Sequence, residues 1–348
     1  LCDFPALQVK RSSGWRRGRN VLRCDVLPLF TRPLDRIAIR SACRTVPAPC
    51  ADYQPTARRE ALRHPDYFEN LPPGAPLEFY QGAYFTFGSP VQSAFPENNT
   101  VFGRLFRASG ERGNGKRGPA VVLLHGWNGE QGYRYLFPFM GRRFASLGLT
   151  TAMIELPYHG SRKPRRGSLR NFLSGDLEHM MGATRQALAD IRAMIRWLHE
   201  QGYGPVGVWG NSLGAWLGGL ATCADERVEA AVLVTPVPRL DLAIETLDFC
   251  RHIKQSMTGR EVSAAELNLV QYQPKCGARG VLIVESVYDL FASADSVEEL
   301  WECWGRTDIW RVRHGHISVL FSPVVMEKTG RWLRQRLTAV GEEGGVGR

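Results

Sequence analysis

Val206-Gly207-Val208-Trp209-Gly210-Asn211-Ser212-Leu213-Gly214-Ala215-Trp216 decides how the rest of the chain is read. Residues 206–209 are a short apolar run of the kind that fills the centre of a parallel sheet, and residues 213–223 read as a helix. Between them stands Gly-x-Ser-x-Gly. As a five-letter string it is weak, since about 0.2 chance occurrences are expected in a chain of this length and glycine content. Its place between strand and helix gives it meaning. A serine on so sharp a turn is held in strained geometry with its hydroxyl above the sheet, and side chains at the flanking glycines would collide with neighbouring backbone.

A serine hydroxyl needs a base to take its proton, and the base needs a carboxylate to orient it. On such a sheet both follow the serine, each just past a strand end, in the order Ser, Asp or Glu, His. The buried run 281–284 is followed by Glu285-Ser286-Val287-Tyr288-Asp289, and the run 309–312 by Arg313-His314-Gly315-His316. Asp289 is the expected carboxylate. His316 is the expected base, preferred to His314 because a glycine before it suits a tight turn from strand to helix. Asp241, beyond the run 230–234, is the alternative carboxylate, with Glu285 and Asp295 as nearby competitors. His314 reads as a surface histidine beside the active one.

Upstream, Ala120-Val121-Val122-Leu123-Leu124 is another buried run, followed by His125-Gly126-Trp127. Acyl transfer needs donors for the developing oxyanion, and the backbone N–H groups of Trp127 and Leu213 are expected to supply them, the second at a helix N-terminus. His125 is expected to shape this loop by hydrogen bonding rather than act as a base. The Trp127 ring suits either a pocket wall or the core, and Phe137, Phe139, Trp216 and Phe249 read as core, with a pocket wall as the alternative.

The remaining pattern sets the fold class. Leu177, Met181, Thr184, Leu188, Ile191, Ile195 and Leu198 mark one face of a long amphipathic helix. Strands are expected around Phe85 and Phe87, at 101–106 and at 149–154, with helices at 133–147, interrupted near Pro138, and at 325–337. Alternating strands and helices predict an α/β fold with a mostly parallel central sheet flanked by helices. Residues 237–273 break that rhythm with helical pieces at 240–256 and 263–270, and read as a partial helical lid insert. The expected organisation is a basic, irregular extension over 1–79, one catalytic domain over 80–337, and a flexible tail over 338–348.

Net charge is +10, but residues 1–63 hold 13 Lys and Arg against 5 Asp and Glu, so the body is nearly neutral. Without aromatic residues interleaved in a basic motif, nucleic-acid binding is not expected. No run approaches the 18 or more apolar residues of a membrane span. The first methionine is Met140, and Trp15-Arg16-Arg17-Gly18-Arg19 is followed by no convincing apolar segment, so no signal peptide is expected and the cytoplasm is the default location. The eight cysteines form no Cys-x-x-Cys pair and match no zinc spacing, which favours reduced buried thiols over disulfides. Arg162-Lys163-Pro164-Arg165-Arg166 is the one basic cluster of the body, suited to a solvated loop with ion pairs or to holding an anionic substrate group.

Over residues 80–337 the chain resembles the α/β-hydrolase superfamily. Two segments, 155–164 (Glu-Leu-Pro-Tyr-His-Gly-Ser-Arg-Lys-Pro) and 197–214, which ends in the serine motif, are similar to α/β-hydrolase domain-containing protein 18 and its bacterial relatives. The resemblance implies a serine hydrolase acting on an acyl ester, either a small molecule or a lipid. Its acyl-enzyme would form on Ser212, with no metal or organic cofactor required. A serine peptidase of the same fold and a non-catalytic binding protein on a hydrolase fold are the alternatives.

Overall fold

The computed structural model describes residues 21–22, 28–46, 71–74, 76–109, 111, 117–166, 169–257 and 264–345. The strands are β1 (Val21–Leu22), β2 (Glu78–Tyr80), β3 (Tyr84–Gly88), β4 (Thr100–Phe106), β5 (Ala120–Leu124), β6 (Thr150–Ile154), β7 (Val206–Asn211), β8 (Val228–Val234), β9 (Val281–Ser286) and β10 (Asp308–Val312). They form one sheet in the order β1-β10-β9-β8-β7-β5-β6-β4-β3-β2. Neighbours from β1 through β6 pair in parallel, while β4, β3 and β2 form an antiparallel edge. The central strands β5, β6, β7 and β9 are buried throughout, whereas β3 and the start of β4 alternate in burial, as a strand does with one face packed.

Side chains alternate across the sheet, so each central strand feeds two apolar layers. Val122, Leu124, Val208 and Ile283 pack beneath α3 (Leu177–Glu200) and α4 (Leu213–Ala224). Val121, Leu123, Trp209 and Val284 face α2 (Phe137–Ser146) and α8 (Pro323–Gly345) on the other side. On α3 the periodic residues Met181, Thr184, Leu188, Ile191, Ile195 and Leu198 are all buried, and Asp176 caps the helix by accepting the His179 N–H. Among the described residues no helix is long and apolar enough to cross a membrane.

Local readings shift in three places. The irregularity expected near Pro138 lies before it, as a π-helical turn at Gly132–Leu136; Pro138 sits in the first turn of α2, where no N–H is required. Within the expected irregular extension, Pro28–Thr45 forms the helix α1. Its buried residues include Thr31, Asp35 and Ala42, small or polar side chains that a search for large apolar periodicity passes over, with Val46 buried just past its end. Past Leu337, α8 continues to Gly345 through much of the expected tail, since no proline interrupts the register; residues 346–348 lie outside the described residues.

The expected insert forms two short helices, α5 (Leu240–Thr246) and α6 (Arg251–Met257), joined by a 3-10 turn at Asp248–Cys250. Helix α7 (Ala294–Cys303) connects β9 to β10. Cys43, Cys223, Cys250, Cys276 and Cys303 are free thiols, and Cys2, Cys24 and Cys50 lie outside the described residues.

Candidate active site

Strand β5 has β6 on one side and β7 on the other, so the chain reverses its direction of travel through the sheet between β5 and β7. Loops leaving the carboxyl ends of such a pair part and open a crevice. His125-Gly126-Trp127 leaves one end and Ser212 the other.

Ser212 has φ 52° and ψ −117°, a conformation costly for a residue with a side chain. The turn is held by Ser212 N–H donating to the Val234 carbonyl (3.0 Å) and Trp216 N–H to the Ser212 carbonyl (2.9 Å). Both flanking glycines are required by space. A Cβ on Gly210 would lie 2.1 Å from the Gly214 carbonyl oxygen, and one on Gly214 would lie 2.2 Å from that of Leu124.

The structure brings Asp289 and His316 to this serine. His316 Nε2 accepts from the Ser212 hydroxyl (2.7 Å), and its Nδ1–H donates to Asp289 Oδ2 (2.8 Å). The other carboxylate oxygen, Oδ1, accepts the N–H groups of Phe291 (2.7 Å) and Ala292 (3.1 Å), which fixes the plane of the carboxylate. Burial pulls the His316 pKa down, but the carboxylates of Asp289 and Asp35 outweigh it and the net shift is upward. The site therefore holds a protonated His316 ring more readily than water does.

The competing residues are placed elsewhere. Asp241 pairs with Arg239 (2.8 Å), and Glu285 with Arg311 (2.9 Å). Asp295 lies in the first turn of α7. His314 is buried rather than on the surface, because its carbonyl accepts the Tyr288 N–H (2.9 Å) and tucks the residue between the two loops.

Trp127 and Leu213 flank Ser212 at the crevice, and Leu213, as the first residue of α4, has an N–H with no acceptor within its own helix. The loop carrying Trp127 is held by two histidines. His125 donates from Nδ1 to the Gly126 carbonyl (2.8 Å) and accepts the Leu156 N–H at Nε2 (3.1 Å); His159 donates from Nδ1 to the Pro157 carbonyl (2.8 Å) and accepts the Asn128 N–H (3.3 Å). Both are acceptors in their neutral form only. Burial pushes His125 down to about 3 and His159 down to about 4.

A histidine whose pKa is depressed by folding supports the fold fully above its unfolded value near 6.5 and loses that support as pH falls towards the folded value. Unfolding is expected to take up protons as pH falls from about 6.5 to 4, each imidazole contributing up to about 1.4 kcal/mol per pH unit. Urea midpoints measured across that range for wild type and His159→Gln check this. The variant is expected to lose about one proton of uptake, and the difference isolates the imidazole from buried carboxylates that titrate nearby.

Ser212 and His316 open onto an apolar cavity of about 250 Å³. The insert supplies much of its wall, including Leu240, Ile244, Phe249 and Ile253, and α1 contributes Ala38 and Ser41 at one side. Trp127 stacks on Phe249 (5.5 Å) and Phe291 on His316 (4.3 Å), so the Trp127 ring is a wall of the cavity. Trp216 and Phe249, expected in the core, also line it, whereas Phe137 is buried at the start of α2 and Phe139 is exposed. The basic cluster takes no part. Arg162 turns inward and pairs with Asp190, both without exposed side-chain surface, while Arg165 and Arg166 lie on the surface.

A larger and more polar cavity, about 470 Å³, lies behind the histidine-held loop, lined by Tyr84, Arg104, Glu130 and Glu155, and it reaches neither Ser212 nor His316. Among the described residues no group of three or more His, Cys, Asp or Glu side chains is arranged to hold a metal ion. Asp35, which sequence reading passed over, touches the His316 loop directly.

Comparison with known proteins agrees with this architecture. The structure is similar to that of an acetyl xylan esterase from Paenibacillus sp. R4, with a TM-score of 0.59 at 15% identity, over 86% of this chain and 99% of the other. A cold-adapted esterase from an Arctic intertidal metagenomic library, solved bound to PEG, gives 0.50 at 21% identity, over 75% and 97%. At such identities the likeness is one of fold. An uncharacterized protein of Mycobacterium tuberculosis, Rv2627c in strain H37Rv, is 28% identical over 240 residues, covering 66% of this chain and 55% of the relative. The chain thus spans about half the length of that relative. The family model described as "Alpha/beta hydrolase domain containing 18" matches residues 80–258. With that match over more than half its length, and with the α/β-hydrolase fold, the chain belongs to the alpha/beta hydrolase domain containing 18 family.

Proposed function

We propose that the protein is a serine carboxylesterase for esters of apolar acyl groups. The observation that carries this reading is the unbroken hydrogen-bond chain from Asp289 through His316 to Ser212, ending at the mouth of an apolar cavity. Ser212 Oγ attacks the ester carbonyl while His316 Nε2 takes its proton, and Asp289 holds the imidazole in the tautomer that can accept it. The N–H groups of Trp127 and Leu213 receive the negative charge on the carbonyl oxygen. The tetrahedral intermediate collapses as the carbon–oxygen bond to the alcohol breaks and His316 returns the proton to the leaving oxygen. Water then repeats the sequence on the acyl-serine, releasing the acid and restoring the free hydroxyl.

The cavity favours a neutral acyl chain, because among the described residues its lining holds no charged side chain, and its titratable groups are His316 and the thiol of Cys250, which burial pushes up to about 12. A volume of about 250 Å³ limits the bound acyl chain to a short or medium length. A panel of p-nitrophenyl esters from acetate to palmitate is expected to peak in that range. Phe249→Ala, which opens the wall beside Trp127, is expected to raise kcat/KM for longer chains about tenfold relative to butyrate. A wild-type enzyme that turns over none of these esters while remaining folded would overturn the reading.

A further inference from the structure

The loop that carries His316 is fastened from far away in the chain. Asp35, on α1, has no exposed surface. Its Oδ2 accepts the N–H of His316 (2.8 Å) and that of Leu290 (3.3 Å), and its Oδ1 accepts the N–H of Ile317 (3.0 Å). Leu290 follows Asp289 directly. One carboxylate thus ties together the two loops whose side chains must meet at 2.8 Å.

Gly315 supplies an independent observation. The glycine before His316 was expected to serve a tight turn, but it is not among the residues of positive φ. A Cβ there would instead lie 2.9 Å from Asp35 Oδ2 and 3.0 Å from Oδ1. The missing side chain is the space into which the carboxylate fits. All three donors are backbone groups of the reacting loops, so the negative charge is spent on them and on the ring they carry. The charged groups facing His316 are Asp289, from the loop after β9, and Asp35, from α1; those facing Asp35 are His316 and Asp289.

We propose that Asp35 is a positioning residue for acyl transfer: it clamps the Asp289 and His316 loops in register and places a second negative charge beside the imidazole that receives the serine proton. This inference rests on the serine-esterase reading. It assigns a role at the site to α1, in a segment that precedes the matched family region.

The test compares wild type, Asp35→Asn, Asp35→Ala, Gly315→Ala and the double variant Asp35→Ala/Gly315→Ala, with active sites counted by a fluorophosphonate probe and ester turnover measured from pH 5 to 9. Asp35→Asn keeps the shape and removes the charge. Its kcat per labelled site is expected to fall about 10- to 100-fold with KM within about twofold, and the acid limb of kcat/KM is expected to move to lower pH, because an imidazole facing one carboxylate instead of two is less basic. Gly315→Ala, which pushes the carboxylate away from the opposite side, is expected to give a similar loss. In the double variant the two losses are expected not to multiply, since the alanine then enters the space left by the carboxylate. Variants that keep wild-type kcat per site and an unmoved acid limb, with only a lowered Tm, would overturn the role. If Asp35→Asn does not fold, Gly315→Ala alone decides, since full turnover there overturns it equally. A wild type that neither labels nor hydrolyses would instead remove the reading beneath it, a result no variant comparison mimics.

Discussion

Ser212→Ala is expected to abolish labelling by a fluorophosphonate and to lower kcat for p-nitrophenyl esters by about 10⁴- to 10⁶-fold, with the fold intact. The size follows from the proposed mechanism, in which the three side chains act as a unit and losing the nucleophile forfeits what the other two contribute. Alanine removes one oxygen from a turn whose geometry is set by Gly210, Gly214 and the hydrogen bond from Ser212 N–H to Val234. Tm is therefore expected to stay within a few degrees of wild type. Asp289→Asn offers a second measure of the same chain. It keeps the shape but withdraws the charge that His316 Nδ1–H donates to, and a loss of about 10⁴-fold in kcat is expected. Retention of labelling in Ser212→Ala would move the reactive centre elsewhere and remove the esterase mechanism.

Arg162→Ala is expected to cost about 3 to 5 kcal/mol of stability at neutral pH, the usual consequence of stranding a buried charge. Arg162 Nη1 lies 2.8 Å from Asp190 Oδ2, and neither side chain has exposed surface. The guanidinium also donates from Nε and Nη2 to the Asn98 carbonyl (3.1 and 2.8 Å) and from Nη1 to the Glu155 carbonyl (2.8 Å). Lysine cannot reproduce that fork, so Arg162→Lys is expected to recover little. Burial already raises the Asp190 pKa, with Arg162 pulling it back. Without Arg162 it rises further. A carboxyl whose folded pKa lies above its unfolded one is best tolerated at low pH and loses that tolerance as pH rises through the folded value. The penalty is thus expected to shrink as pH is lowered, which urea unfolding at pH 7 and pH 5 would check. A cost below about 1 kcal/mol at pH 7 would contradict a role for the pair in holding α3 to the loop after β6.

Much of this molecule is local in origin and legible as such. A run such as Ala120–Leu124 has no polar side chain to keep a face in water, so it belongs to the centre of a sheet wherever the chain goes. The three- and four-residue spacing from Met181 to Leu198 commits one face of α3 to the core by helical geometry alone. Gly210 and Gly214 announce the turn at Ser212 because backbone crowding leaves no room for a Cβ there. Asp289 and His316 were legible from their places after successive strands, since a parallel sheet sends every such loop to one edge.

What the tertiary structure alone decided are contacts between segments with no pattern linking them. Asp35 reaches the His316 N–H across 281 residues of sequence, from a helix whose buried face carries no large apolar side chain. Arg162 stood in a basic cluster that suggested a surface, and only the approach of α3, with Asp190 on it, turned it inward. Asp241 stayed open as the alternative to Asp289 until the fold set Arg239 against it, with Glu299 on the same guanidinium. The cavity is likewise a remainder of packing, enclosed where α5 and α6 meet α1 and the loops of the sheet. Sequence by itself determined the central strands, the long helix α3 and the turn at Ser212, because backbone geometry and hydrophobic periodicity act over a few residues; where α1 forms, which charge is paired, which carboxylate meets which loop and what space is left over were decided only when distant segments packed together.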